Sequence, residues 1–436
     1  MVFDAKSYWL VNAHIPSCLI DVDDSIPQTR ESLRLVDLKI SQGKIEQVIA
    51  ANNTKSDLPS LDLEKQIVLP CLVDMHTHLD KGHIWERSPN VEGTFDMALS
   101  RAIADSEKYW QPEDVYRRME FGLKCSYAHG TQAIRTHIDS RGKQAEISLE
   151  VFRSLRSAWQ DKITLQAVSL VSLDYYQTPE GIALADRIAK VGGVLGGVGW
   201  QNPDLSSQLD TIFRLAQERN LDLDFHVDEN GDPESTCLQQ VAETAIRHNF
   251  SNRITCGHCC SLAVQSPEVV NKTIALVKQA NITVVSLPMC NLYLQDRQQN
   301  QTPHWRGVTR VHELQQQGVP VAFASDNCRD PFFGFGDHDV LEVFEQSVRI
   351  AHLDTPYANW IESVTTTPAS AMGLNIGKLT VGKPADLIIF PARYFSELLA
   401  RSQHDRIVIR NGKKIDTQLP DYSELDDLVL SNKRTD

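Results

Sequence analysis

Ile67-Val68-Leu69-Pro70-Cys71-Leu72-Val73 is an apolar run, and Asp74-Met75-His76-Thr77-His78-Leu79-Asp80-Lys81 follows it with two histidines two residues apart. In an extended strand successive side chains alternate sides, so His76 and His78 project to one face. Two neutral imidazoles on one face make half of a first-row metal site, and imidazole suits zinc, iron or copper. Paired histidines also occur as ordinary polar positions, so the segments further along carry the argument. Phe225-His226-Val227-Asp228-Glu229, Gly257-His258 and Ala324-Ser325-Asp326 each close another apolar, strand-like run with polar groups. That pattern points to a metal-dependent hydrolase.

Working outward, strand-like runs are expected at 67–75, 132–137, 163–171, 194–200, 221–227, 254–258, 282–287 and 319–325. Helical patterns lie between them, for example at 113–128, 146–159, 205–219, 238–248, 269–280 and 311–317. Alternating β and α units of this number predict a closed (β/α)8 TIM-type barrel. A doubly wound open sheet would gather its ligands at one switch point. Here the polar residues sit instead at the C-terminal ends of strands one, two, five, six and eight. No GxGxxG turn or Walker motif is present, so nucleotide phosphate binding has no support.

Both ends of the chain have a different texture. Trp9-Leu10-Val11-Asn12, residues 33–40 and residues 44–49 read as short strands, with a turn at Ser41-Gln42-Gly43. Residues 385–390 and 407–415 repeat this, the latter with an Asn411-Gly412 hairpin signal. The expectation is an α/β protein in which residues 67–375 form the barrel. Residues 1–66 and 376–436 together build a small flanking β-sandwich.

A chain of 436 residues with 42% hydrophobic and 23% charged residues is ordinary for a globular enzyme. The formal net charge of −14 argues against a nucleic-acid partner, which calls for a basic footprint. Nine cysteines, irregularly spaced, fit reduced thiols better than a disulfide framework. Cys256, Cys259 and Cys260 flank His258, but no second pair follows at zinc-knuckle spacing, so strand-end packing is the better reading. The N-terminal stretch has no basic start followed by a long apolar core, and no membrane-spanning run is seen. A cytoplasmic protein is expected.

HTHLDK, FHVDE, the Gly-His pair after strand six and SDN after strand eight together resemble the amidohydrolase superfamily, and within it the cytosine deaminase-like branch. The resemblance continues through Ala133-Ile134-Arg135-Thr136-His137-Ile138-Asp139, Asn291-Leu292-Tyr293-Leu294-Gln295-Asp296-Arg297, Arg306-Gly307-Val308-Thr309, Asp330-Pro331-Phe332 and the stretch from Gly377 to Leu387. It spans nearly the whole chain. It implies one divalent metal, iron or zinc, held by His76, His78, His226 and Asp326. Glu229 matches the acid/base that moves a proton to a ring nitrogen and on to the leaving amine. His258 matches the histidine that hydrogen-bonds the nucleophile. A second metal in many relatives rests on a lysine at the end of strand four. Here that region reads Gly196-Gly197-Val198-Gly199-Trp200-Gln201, with no lysine. The resemblance also implies a small heterocyclic substrate and assembly into a homo-oligomer.

The ring-reading parts depart from the branch. The glutamine expected after strand three is replaced by Val171-Ser172-Leu173-Asp174, the aspartate after the strand-eight ligand is Asn327, and a usual tryptophan is Phe332. A site built for one hydrogen-bonding edge rejects rings that present another. The expectation is therefore a deaminase of an amino-substituted N-heterocycle, cytosine or a related pyrimidine or purine. Lys81, Asp174, Gln201, Asn327 and Phe332 are the candidate substrate contacts. An alternative on the same scaffold removes an alkylamine from a triazine-like ring or opens a cyclic amide. A non-catalytic binding protein would show a damaged metal set, and none is visible.

Overall fold

The computed structural model describes residues 2–52, 57–357 and 359–430, and it divides into two compact units. Residues 53–56, 358 and 431–436, which fall inside the expected domains, lie outside the described residues.

One unit comprises residues 74–124, 133–338 and 420–436 and carries the barrel. Its eight parallel strands are β1 (Leu72–Thr77), β2 (Thr131–Asp139), β3 (Thr164–Leu170), β4 (Leu195–Gly199), β5 (Leu223–Val227), β6 (Ile254–His258), β7 (Ile282–Ser286) and β8 (Val321–Phe323), the first two beginning just outside it. β1 to β3 form one ladder and β4 to β8 another. Parallel bridges Val168↔Val194 and Ser172↔Val198 join the two ladders, and Thr77↔Asp326 closes the ring. The expected barrel is therefore present. The strands are almost wholly buried because both faces are covered, and helices between strands do the covering. Their ends follow local chemistry. Thr178 caps the helix Pro179–Val191 with Pro at its first turn and left-handed Gly192 at its end, and Ser266 caps Pro267–Gln279.

The other unit comprises residues 1–73, 125–132 and 339–419. Strands from both termini share one sheet there: Ser7–Pro16, Leu33–Ser41, Lys44–Ala50, Ser60–Asp62 and Ile67–Pro70 from the front, Leu387–Phe390, Ile407–Arg410 and Lys413–Lys414 from the back. Tyr8, Leu10, Val36, Leu38, Leu387 and Ile409 meet in one buried core, so neither end can fold this layer alone. Asn411 and Gly412 are both left-handed, as the tight hairpin between the last two strands requires.

One expectation is corrected. The apolar run 67–75 is not a single barrel strand. It stops at Pro70, and Ile67–Pro70 pairs with Leu387–Phe390 in the terminal sheet, while β1 begins at Leu72. Proline cannot donate to a ladder, so the strand has a natural end there.

Candidate metal centre and active site

Side chains far apart in sequence converge because parallel barrel strands all end on one side. His76 lies within β1 and His78 just past it, His226 within β5, His258 at the end of β6, and Asp326 three residues past β8. Asp228, His258 and Asp326 adopt left-handed backbone conformations, with φ of 52°, 68° and 62°. Non-glycine residues held there carry a cost and concentrate at functional sites. Gly257 makes room for the cluster, since a Cβ at that position would lie 2.8 Å from His76 Cε1.

The donor atoms are close. His76 Nε2 lies 3.1 Å from His226 Nε2, which lies 3.3 Å from His78 Nε2. Asp326 Oδ1 lies 3.2 Å from His78 Nε2 and 3.6 Å from His76 Nε2. Donors about 2.0–2.1 Å from one ion at tetrahedral angles stand about 3.3 Å apart, so the spacing suits a single ion. Neither oxygen of the buried Asp326 carboxylate accepts an N–H or O–H hydrogen bond; the weak S–H donor of Cys290 stands beside it and also reaches the carbonyls of Ser325 and Asn327. A buried anion without donors calls for a cation. Burial and the neighbouring imidazoles hold His76 and His226 well below the usual histidine range. Burial and Lys81 do the same for His78. Neutral imidazole is the form a metal takes. These residues fit the divalent ion that the resemblance implies.

His137, two residues before the end of β2, was not among the expected site residues. It joins His76, His78 and His226 in one four-histidine group, its ring 4.0 Å from that of His76. Its Nε2 lies 3.2 Å from Asp224 Oδ1, and Arg135 donates to the same carboxylate at 2.8 Å. The signal available in the sequence was the one that exposed the others, a polar group at a strand end.

Glu229 and His258 face one another, with Oε1 and Nδ1 3.4 Å apart. Burial, then the charge of Asp326, pushes the Glu229 carboxyl well above its usual range, against the opposing pull of Lys81. Burial pushes His258 down to about 4. The Asn291 amide nitrogen lies 3.0 Å from His258 Nδ1, and with that donor the imidazole proton sits on Nε2.

A cavity of about 720 Å³ opens onto His78, His226, His258, Glu229 and Asp326 together. Its volume lies in the range of small-molecule sites, about 300–1,000 Å³. Lys81, Asn327 and Phe332 line it. Lys81 Nζ lies 2.9 Å from Asp139 Oδ1 and 5.3 Å from the centre of the Phe332 ring. Asn327 donates to Asp330 Oδ2 at 2.7 Å. Asp174 and Gln201 are placed elsewhere: both are exposed, neither lines the cavity, and Gln201 accepts hydrogen bonds from Thr236 and Gln240. Ser172, Tyr175 and Trp200 stand on the wall near where those two were expected. The helix Phe95–Tyr109 supplies Phe95, Leu99 and Ile103 to the same wall.

The profile of the amidohydrolase family matches residues 94–413. This chain belongs to the amidohydrolase family. It is a hydrolase of carbon–nitrogen bonds. It is 48% identical over 428 residues to a pterin deaminase of Rhizobium rhizogenes, the match covering 98% of each chain. It is 25% identical to the N-isopropylammelide isopropyl amidohydrolase of a Pseudomonas species, over 81% of this chain and 87% of that one. Among solved structures, the 5-methylcytosine deaminase of Klebsiella pneumoniae liganded with phosphonocytosine superposes with a TM-score of 0.81 at 27% identity, covering 94% of this chain and 98% of the other.

Proposed function

We propose that this amidohydrolase is a hydrolytic deaminase of an amino-substituted N-heterocycle, and that its substrate is of the pterin class. The observation that carries the reading is a meeting of two features at the head of one cavity. A donor set spaced for a single ion faces a carboxyl group whose pKa burial raises. The 48% identity to a pterin deaminase supports the substrate class, and a 720 Å³ cavity has room for a fused two-ring substrate.

In this reading His76, His78, His226 and Asp326 hold one divalent ion, iron or zinc. When bound, such an ion supplies a hydroxide nucleophile at neutral pH by lowering the pKa of water from about 15.7 towards about 7. Glu229 gives its proton to the ring nitrogen beside the carbon that bears the amine, opening that carbon to attack. Asp326 takes a proton from the attacking water and passes it to the amine, which leaves as ammonia. Glu229 then recovers the remaining hydroxyl proton, and the ring carbon becomes a carbonyl. His258, with its proton on Nε2, hydrogen-bonds the incoming oxygen. Lys81, Asn327 and Phe332 contact the ring.

The barrel, expected at residues 67–375 and built from β1 at Leu72 onward, carries the chemistry in this reading, with strands from both termini in the sandwich domain. We also place the enzyme in the cytoplasm as a homo-oligomer. Its nine unbridged cysteines fit a reducing compartment, and no helix among the described residues is long and apolar enough to cross a membrane.

The test is product analysis over a panel of pterin, cytosine, 5-methylcytosine and N-isopropylammelide. The expected result is ammonia release, fastest from pterin. Release of isopropylamine as the dominant activity would favour the second reading, which the match to the N-isopropylammelide enzyme supports. Turnover of none of them would overturn the proposal.

A further inference from the structure

Away from the barrel-mouth donors, His83, Cys328 and His338 form a separate group of ligating side chains with no member in common. All three are buried, each 2% exposed. His83 Nε2 lies 3.1 Å from His338 Nε2, the same spacing as between His76 and His226. The ligating atoms of all three residues lie within 4.8 Å of one another.

The local backbone is arranged around this group. His83 and His338 are both left-handed, with φ of 61° and 53°, conformations that a histidine adopts at a cost. The His83 amide donates to the Cys328 carbonyl at 3.2 Å, and the His338 amide hydrogen-bonds the Cys328 sulfur. Gly122 leaves the space for the His338 ring, since a Cβ there would lie 2.9 Å from His338 Nε2.

We propose that His83, Cys328 and His338 form a second metal site, taking one zinc-class ion through two imidazoles and one thiolate. Binding deprotonates the thiol, so one proton is released to solvent for each Cys–S–metal bond formed. Arg118 and Arg329 stand near His83. They disfavour an uncompensated dication, and the thiolate removes one unit of that charge. A thiolate with two imidazoles selects zinc over calcium or magnesium. The three protein donors leave a fourth position for water. The site joins the segment after β1, which carries His78 and Lys81, to the segment after β8, which carries Asp326 and Asn327. It acts as a clip between the two loops that build the mouth.

The test uses the full chain, stripped by chelator and titrated with Co²⁺ while its absorption is followed. The barrel-mouth donors include no thiolate, so a thiolate-to-cobalt charge-transfer band reports the second site alone. The expected result is that band in the parent protein, its loss in Cys328→Ser and in His83→Gln, and ligand-field absorption from the barrel-mouth ion in all three. Zinc content after reconstitution should fall from two per chain to one in both variants. Absence of the charge-transfer band from the parent protein would overturn the proposal, as would its survival in Cys328→Ser. The pair His83–His338 would then be two neutral imidazoles sharing one proton.

Discussion

Glu229 Oε1 lies 3.4 Å from His258 Nδ1, and both side chains face the cavity that also exposes His226 and Asp326. The two groups are shifted in opposite directions by the same cause. Burial disfavours charge on each, raising the pKa of the carboxyl and lowering that of the imidazole to about 4. A carboxyl with a raised pKa and a neutral hydrogen-bonding ring therefore stand together beside the metal donors.

Replacing Glu229 with Gln keeps the shape and removes the titrating proton. kcat for deamination should fall by about 10²–10⁴, the usual contribution of general acid–base catalysis. Metal content by elemental analysis should stay at the parent value. Retained turnover would show that another group moves the proton.

Gly257→Ala places a methyl group 2.8 Å from His76 Cε1, so the ring must move. Metal affinity, measured by competition with a chromophoric chelator, should fall about 10–100-fold, the scale seen when the support of a ligating histidine is disturbed. Activity should recover when excess metal is added.

Lys81 is buried, paired with Asp139 and set beside Phe332 on the cavity wall. Lys81→Met should raise KM about tenfold, equivalent to about 1.4 kcal/mol. A change confined to thermal stability, with kinetics unaltered, would make this lysine a structural ion-pair partner only.

Asp114 tests the pH dependence of folding. It pairs with Arg118 and Arg87, and Arg87 also pairs with Asp105. Burial alone would raise its pKa, but Arg118 and Arg87 outweigh it and hold the carboxyl below the usual aspartate range. The folded chain thus binds that proton less readily than the unfolded chain. Its stabilisation is complete above the ordinary carboxylate value and is lost as pH falls through the lower folded one. Asp114→Asn should cost about 3 kcal/mol at pH 7, as breaking a buried pair does. The penalty should shrink below pH 4 in thermal melts run across pH.

The sequence exposed what periodicity and strand-end polarity encode. His76, His78, His226, His258 and Asp326 are legible because each interrupts an apolar run where a barrel strand must end. The terminal sheet was legible from alternation and from Asn411-Gly412. The break at Cys71 was not, because residues 67–73 are apolar throughout and either sheet would accept them; Pro70 was the sole mark. Asp174 and Gln201 were expected at the cavity from their distance past strands three and four. Loop direction is not written in strand periodicity, and Ser172, Tyr175 and Trp200 turn inward instead. The apolar stripe of Phe95, Leu99 and Ile103 has the spacing of any core-facing helix, yet Leu99 and Ile103 are 42% and 49% exposed and face the cavity.

The most direct measurement of the central claim is anomalous diffraction from crystals of the purified enzyme, collected at the zinc and iron edges. One strong peak should lie between His76 Nε2, His78 Nε2, His226 Nε2 and Asp326 Oδ1, about 2.0–2.2 Å from each. A fully active enzyme with no anomalous density among those four atoms would contradict the account.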